Sequence, residues 1–530
     1  MNTAPSLLDQ ANKRADALRA GYRAAGFWSA SPMDTVRSAA LRDATATAVI
    51  TRTETLSYGE LDHRIDRAAL ALKSFGVTAD TPVLLAIGND VDSVIAVHAV
   101  LRVDAVALLA PLNAGRAHLA DIAAGASAQV GVAPRSWLAT TEGVNEICSW
   151  IDLAGAAAEG TASSVASVES RRAADAPSLV LYTSGTTSRP KGVVHSLSTL
   201  GKAATNHIVA AGLDSDDRLF VVSPFASVTG ALQVMFIGPM LNAPVVLEDS
   251  FSPAATAELL ASSGGTWFGG PDRLLDRILE EAVKAGRRVP LRAAYVGGTM
   301  LDRSVVERVE RDFGIVVMRA YGSSEVPTST SGLRGDSEEM RHSYDGVPLD
   351  DVEVRIGSSL DPNECCIRGP HAFLGYTDPE DDEHAYEQGW FHTGDVAELN
   401  EGRIRIVGRL RDIVIRNGLK IPIAEVEDAI NGLGGVRQCA GYSVPDAVTG
   451  ERLAVAVVLE AQAVVTFTAV IENLTAAGLA KYKLPEELVI WDEPLPTNAN
   501  GKVERNKLEA GSQRHPRLRA PRLAELEALG

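Results

Sequence analysis

Cysteine is scarce in this 530-residue chain: Cys148, Cys365, Cys366 and Cys439 are all it has. They form no CxxC pair, which excludes a disulfide framework and a cysteine-built zinc centre. In an extended stretch, alternation sends the adjacent Cys365 and Cys366 to opposite faces. Positive charge is also in deficit, with 50 Lys and Arg against 68 Asp and Glu. The resulting net charge of −18 argues against nonspecific nucleic-acid binding, so any anionic ligand must be held by local donors. No run of 18 or more apolar residues occurs, and no integral membrane segment is expected. The Ala-rich stretch 93–127 comes closest but is broken by Arg102, Asp104, Arg116, His118 and Asp121. The first residues, "MNTAPSLLDQANKRADALRAGYRAAGFW", lack the apolar core of a secretion signal. The expected setting is a reduced cytoplasm. The common phosphate loop GxxxxGK[ST] is missing too.

What is present is ordinary globular composition, 46% hydrophobic and 22% charged, over a length that calls for two or more domains. From about residue 45, β-rich runs alternate with Ala/Leu helices: "PVLLAIG" (82–88), "DSVIAVHAVLRV" (92–103), "AVALLAPL" (105–112), then "RLFVVSPF", "APVVLED", "AAYVGGT" and "GIVVMRAYGSSE". Strands separated by helices imply an α/β fold with parallel sheets covered on both faces, and ligands at the carboxyl ends of the strands. The unusual loops 183–192, 297–299 and 321–325 each follow such a strand. Residues 345–408 read instead as short alternating strands, an antiparallel subdomain with a hairpin turn at Asn400, Glu401 and Gly402. After Gly408 a compact α+β unit begins. The division is therefore an N-terminal domain 1–408 and a small C-terminal domain 412–530, joined at 409–411.

The stretch "LVLYTSGTTSRPKGVVH" (179–195) runs from apolar residues into hydroxyls, glycines and cations. Such clusters make surface turns, but hydroxyl donors, glycine-freed N–H groups and a nearby ammonium are also what a phosphate needs. Four further motifs follow in order: "YGSSE" (321–325), "GWFHTGD" (389–395), "GRLRD" (408–412) and "PTNANGK" (496–502). This collinear set resembles the adenylate-forming superfamily of acyl-CoA synthetases, peptide-synthetase adenylation domains and beetle luciferases. The resemblance runs from "LSYGELDHR" (56–64) to "GKVERNKL" (501–508).

It implies a role for each motif. Thr183, Ser184, Gly185, Thr186, Thr187 and Lys191 correspond to the cradle for the β- and γ-phosphates of ATP, with Ser188 where the family usually has glycine. Gly297, Gly298 and Thr299 correspond to the adenine-binding segment, and Tyr321 to the ring that stacks on adenine. Ser324, usually threonine, would face the α-phosphate, and Glu325 would hold Mg²⁺, which prefers hard oxygen ligands. Asp395 would accept the ribose hydroxyls, with Arg409 beside it. Lys502 would reach the substrate carboxylate and the α-phosphate, so Lys502, Glu325 and Ser324 form the implied catalytic set. Arg411 takes the hinge position, usually Asp or Lys, about which the C-terminal domain alternates. Gly418 would border the tunnel for the thiol, and Pro422 lies one place earlier than usual.

The implied reaction is that of an AMP-forming acid–thiol ligase. The acid attacks ATP, pyrophosphate leaves, and the acyl group passes to a thiol. Phe225, Ser227, Val228, Phe268 and Gly322 are candidates for the acid pocket, with Trp267, Leu232 and Met300 as further apolar lining. Ser227 falls where relatives often carry histidine or an aromatic gate. The aspartate that would pair an amino group has no counterpart, and an unpaired buried ammonium is costly, so a neutral aromatic, alicyclic or medium-chain acid is expected. Two acceptors stay open, coenzyme A and a carrier-protein phosphopantetheine. So do monomer and homodimer.

Overall fold

A computed structural model describes residues 7–153, 167–183, 190–297, 303–417, 419–446, 448–460, 463–477, 479–497, 503–521 and 523. The chain forms two compact units. One comprises Met1–Arg355, Cys366–His392 and Glu401–Ile404; the other comprises Ile356–Cys365, Thr393–Asn400 and Arg405–Gly530. The chain therefore passes between the units several times rather than once. One crossing is at the tight turn between Trp390–Asn400 and Arg403–Arg409, where Glu401 and Gly402 take φ values of 49° and 78°.

The larger unit is built on two sheets. In the first, the strands run in the order Gly375–Tyr376, Lys191–Ser196, Pro177–Thr183, Val106–Pro111, Pro82–Ile87, Val130–Val132 and Ser149–Ile151. Its last five are parallel, and the first two are antiparallel additions. The runs read as buried strands behave as such: Val83, Leu84, Leu85, Ala107, Leu108 and Leu109 have no exposed surface. Continuous apolar sequence is what a parallel strand covered on both faces requires.

The second sheet runs Val347–Pro348, Thr330–Ser331, Val316–Tyr321, Ala293–Gly297, Trp267–Gly270, Leu219–Val221, Val245–Leu247, Thr47–Ile50 and Thr55–Ser57. Its centre is parallel, with Phe268 opposite Phe220 and Ala294, and Gly269 opposite Val221 and Tyr295. One face carries Phe220, Phe268, Ala294 and Val317 into a core with Leu260, Leu275, Ile278 and Leu279. Each buried Phe, Val, Leu or Ile there contributes about 1.5–3 kcal/mol. The other face carries Trp267 and Tyr295 against His207 of the helix Leu197–Ala211. That helix starts on a capping box between Ser196 and Thr199.

The register leaves the strands ending at Val221, Gly270, Gly297 and Tyr321 with their carboxyl ends on one edge. Asn89 stitches this edge to the first sheet. It follows the strand Pro82–Ile87, accepts from Phe225 N at 2.7 Å and donates to Ser223 O at 3.1 Å.

The smaller unit carries a six-stranded sheet ordered Leu419–Pro422, Ile413–Arg416, Gly450–Leu459, Glu487–Trp491 and Arg517–Arg519, with Val436–Asp446 also paired to Gly450–Leu459. The helices Ile423–Asn431 and Phe467–Ala476 cover one face through Val426, Ile430, Val470 and Leu474. Tyr442, Val489, Trp491 and Leu508 pack on the other.

Candidate active site

The phosphate-type loop is pinned at its base by strand pairing, with Thr183 directly opposite Lys191. Ser184, Gly185, Thr186, Thr187 and Ser188 lie outside the described residues. Lys191 Nζ pairs with Asp381 Oδ1 at 2.7 Å and sits 5.3 Å from the centre of the Tyr376 ring. A Cβ at Gly192 would stand 2.5 Å from Thr377 Oγ1 and 2.7 Å from its Cγ2. Only glycine lets the two backbones meet there.

The motif "YGSSE" turns at the end of the strand Val316–Tyr321. At Gly322 a Cβ would come within 2.5 Å of Thr328 N, so the turn closes tightly on itself. Ser329 N donates to Tyr321 O at 2.9 Å. Ser324 O accepts from His195 Nε2 at 2.7 Å, and Nδ1 of the same ring lies 3.0 Å from Thr199 Oγ1. A carbonyl only accepts, so Nε2 carries the proton. Burial holds the His195 pKa down at about 4, and the ring is neutral. Glu325 is half-buried; its O accepts from Phe373 N at 2.7 Å, and its Oε1 accepts from the Tyr376 hydroxyl at 2.8 Å. Burial, then the Glu325 charge, pushes the Tyr376 phenol well above its ordinary value, which keeps the proton on the donor. Thus Lys191 and Glu325, read from separate motifs, meet the same tyrosine.

Gly297 ends its strand opposite Ala320, whose carbonyl leaves no room for a Cβ. Gly298, Thr299 and Met300 lie outside the described residues. Ser227 and Val228 keep partly exposed surface, as does Gly322. Phe268, in contrast, has no exposed surface and belongs to the core on the opposite face of its strand from Trp267. The expectation that Phe268 lines the pocket is corrected by strand alternation. Phe225 is 1% exposed, Trp267 has no exposed surface, and Leu232 is 2% exposed, so these three form framework rather than open wall. Ser227 caps the short helix Val228–Ala231: its Oγ accepts from Gly230 N at 3.2 Å and donates to Pro224 O at 2.7 Å. The chain then winds as a π-helix over Leu232–Ile237, a form often found near functional sites. Within it the fully buried Gln233 donates to Thr229 O and Gly269 O.

In the smaller unit Asp395 is buried, and its carboxylate pairs with Arg409 Nε at 3.0 Å. The preceding Gly394 takes φ 69° and donates to Glu364 Oε1 at 3.0 Å, while Thr393 Oγ1 donates to Cys365 O at 2.6 Å. These bonds fix the stretch of the strand Trp390–Asn400 that presents Asp395. Arg411 lies in the 3₁₀ turn Leu410–Asp412. Gly418 and Lys502 lie outside the described residues.

Sequence reasoning missed Asn89, His195, Tyr376 and Asp381. His195 closes the phosphate-loop stretch itself, and Tyr376 follows glycine in "FLGYTD". Neither carries a local signal of its role.

Glycine-tight loops at adjoining carboxyl edges, with the Lys191 ammonium and the Glu325 carboxylate meeting on one tyrosine, are the arrangement of an α/β enzyme of nucleotide chemistry. The chain belongs to the AMP-binding enzyme family, whose sequence pattern matches residues 36–377 and whose C-terminal domain pattern matches residues 425–502. It is 30% identical to an oxalate–CoA ligase of Arabidopsis thaliana over 85% of this chain and 92% of that one. A salicyl-AMP ligase / salicyl-S-ArCP synthetase of Mycobacterium tuberculosis is 28% identical over 92% of each. The o-succinylbenzoate coenzyme A synthetase of Bacillus subtilis, solved with ATP and a magnesium ion, shares the fold with a TM-score of 0.79 at 24% identity, over 90% of this chain and 99% of that one.

Proposed function

We propose that this enzyme is an ATP-dependent carboxylate–CoA ligase. It activates a neutral carboxylic acid as acyl-AMP, releases pyrophosphate, and transfers the acyl group to coenzyme A. The observation that carries the reading is the pairing of Glu325 and Lys191 around Tyr376. Glu325 is a half-buried carboxylate with one oxygen held by a hydroxyl and no salt bridge among the described residues. That oxygen donor would hold Mg²⁺, a hard cation that prefers oxygen ligands. When bound, the ion neutralises charge on the phosphates. Lys191 and the loop beginning at Thr183 orient the β- and γ-phosphates, Tyr321 and Gly297 border the adenine, and Ser324 faces the α-phosphate. Asp395 and Arg409 hold the ribose. Lys502 places its ammonium between the acid carboxylate and the α-phosphate, where charge gathers as the bond forms.

After adenylation, rotation about Arg411 withdraws Lys502 and brings Gly418 to the thiol path. The proposed compartment is the cytoplasm, which the scarcity of cysteine fits. The neutral tail rests on the pocket's surroundings. Trp267 and Tyr295 of the second sheet pack against His207, whose pKa burial holds at about 3 so that it carries no charge, and the buried Gln233 offers only a neutral amide. A carrier-protein phosphopantetheine is the second reading of the acceptor, favoured by the likeness to the salicyl-AMP ligase. A product assay over aromatic, alicyclic and medium-chain acids, offering free coenzyme A and holo carrier protein side by side, tests both. AMP and acyl-CoA are the expected products. ADP and phosphate would overturn the reading, and acylation of the carrier alone would move it to the second acceptor.

A further inference from the structure

The segment Gly375–Asp382 contacts both charged ends of the proposed phosphate site. Its first two residues pair with the strand that starts at Lys191, Tyr376 opposite Val193 and Gly375 opposite Val194. Thr377 N adds a bond to Gly192 O at 2.9 Å. Asp382 caps the turn by accepting from Tyr376 N at 3.1 Å, and Arg14 of the helix Asp9–Ala24 locks it with a bond to Asp382 Oδ2 at 2.9 Å and another to Leu374 O at 3.0 Å. Behind Tyr376, Phe373 packs on Tyr386 and Phe391. The phenol is thus held from three sides, 8% exposed, with its hydroxyl on Glu325 and its ring under Lys191.

We propose that Tyr376 is a positioning residue for the nucleotide site and that Asp381 is the resting counter-ion of Lys191. The Tyr376 hydroxyl fixes one Glu325 oxygen and so presents the other to the cation that accompanies ATP. The ring keeps Lys191 beside it. Asp381 neutralises the partly exposed ammonium until phosphate oxygens displace it. The inference rests on the proposed reading of Glu325 and Lys191 as ATP-site residues.

The test measures Mn²⁺ binding to the full-length, ATP-loaded chain by electron paramagnetic resonance, with no acid present. Tyr376→Phe keeps the ring and removes only the hydroxyl. It is expected to weaken Mn²⁺ binding on the order of 10-fold, the effect of losing a hydrogen bond to a charged group. In a Glu325→Gln background the same change should have no further effect, since coupled residues do not add. Equal losses in both backgrounds, or none in either, would overturn the proposal. Failure of the unaltered chain to bind Mn²⁺ with ATP would instead overturn the nucleotide reading, and this proposal with it. Asp381→Asn supplies a second readout: metal-free ATP binding by calorimetry should tighten roughly 3-fold because Lys191 no longer has a rival anion. Weaker ATP binding in this variant would contradict the counter-ion role.

Discussion

Ser227 has two duties that different substitutions separate. Its Oγ caps the helix Val228–Ala231, and the residue is partly exposed, as a proposed wall of the acid pocket must be. Ser227→Ala removes the cap and should lower stability by about 1 kcal/mol, read from the urea midpoint, with little change in acid preference. Ser227→Phe should shift preference away from bulky acids by roughly 10 to 200-fold in kcat/KM while leaving the KM for ATP unchanged. An unchanged acid profile in the Phe variant would remove Ser227 from the pocket and leave it a cap alone. The cap was legible in the sequence only as a hydroxyl beside a turn. The exclusion of Phe268 was not, because deciding which face of a strand meets the ligand needs the register with its neighbours.

At the scale of elements, the site depends on how closely the segment 374–382 docks on the strand Lys191–Ser196. Gly192→Ala drives a Cβ into Thr377 and should cost about 1–3 kcal/mol through overpacking, seen as a lowered melting temperature together with a raised KM for ATP. A normal melting temperature would mean the two strands separate freely. Arg14→Ala removes the hydrogen bonds to Leu374 O and Asp382 and the contact with the Tyr386 ring, at 3.9 Å from its centroid. It should cost about 1–3 kcal/mol and raise the KM for ATP as Tyr376 loosens. Full ATP affinity in that variant would detach the N-terminal helix from the site's support.

These docking contacts mark the limit of what sequence yields. The parallel strands and the breaks at their carboxyl ends could be read because apolar runs and glycine-rich turns are local patterns. Arg14 and Asp382 are joined across 368 residues, and Asn89 and Phe225 across 136. An arginine on an amphipathic helix or an asparagine after a strand looks like any solvated polar group until its partner is placed. Tyr376 was hidden for a further reason: its ring reads as core, and only the structure shows its hydroxyl bonded to Glu325.

At the scale of the whole molecule, buried histidines govern acid stability while the two half-reactions depend on other residues. His98 and His195, held at about 4, and His207 and His371, held at about 3, are kept neutral by burial in the larger unit. Their folded pKa values lie below the unfolded 6.5, so the unfolded chain takes up protons that the native one refuses. The stability they confer is present above pH 6.5 and is lost as pH falls toward 4. The urea midpoint should therefore drop clearly between pH 7 and pH 5, and a flat profile would contradict neutral burial.

Catalytically, Lys502→Ala is predicted to reduce acyl-adenylate formation by on the order of 10²-fold or more while sparing thioester formation from supplied acyl-AMP. Arg411→Pro should do the reverse by restricting φ at the pivot. The most direct test of the central claim is acid-dependent exchange of labelled pyrophosphate into ATP, measured with the full-length enzyme in the complete absence of thiol. Exchange that requires the acid and Mg²⁺, and that Lys502→Ala abolishes, is the predicted result. Exchange that requires coenzyme A, or survives without Lys502, would contradict a two-step reaction through acyl-AMP at this site.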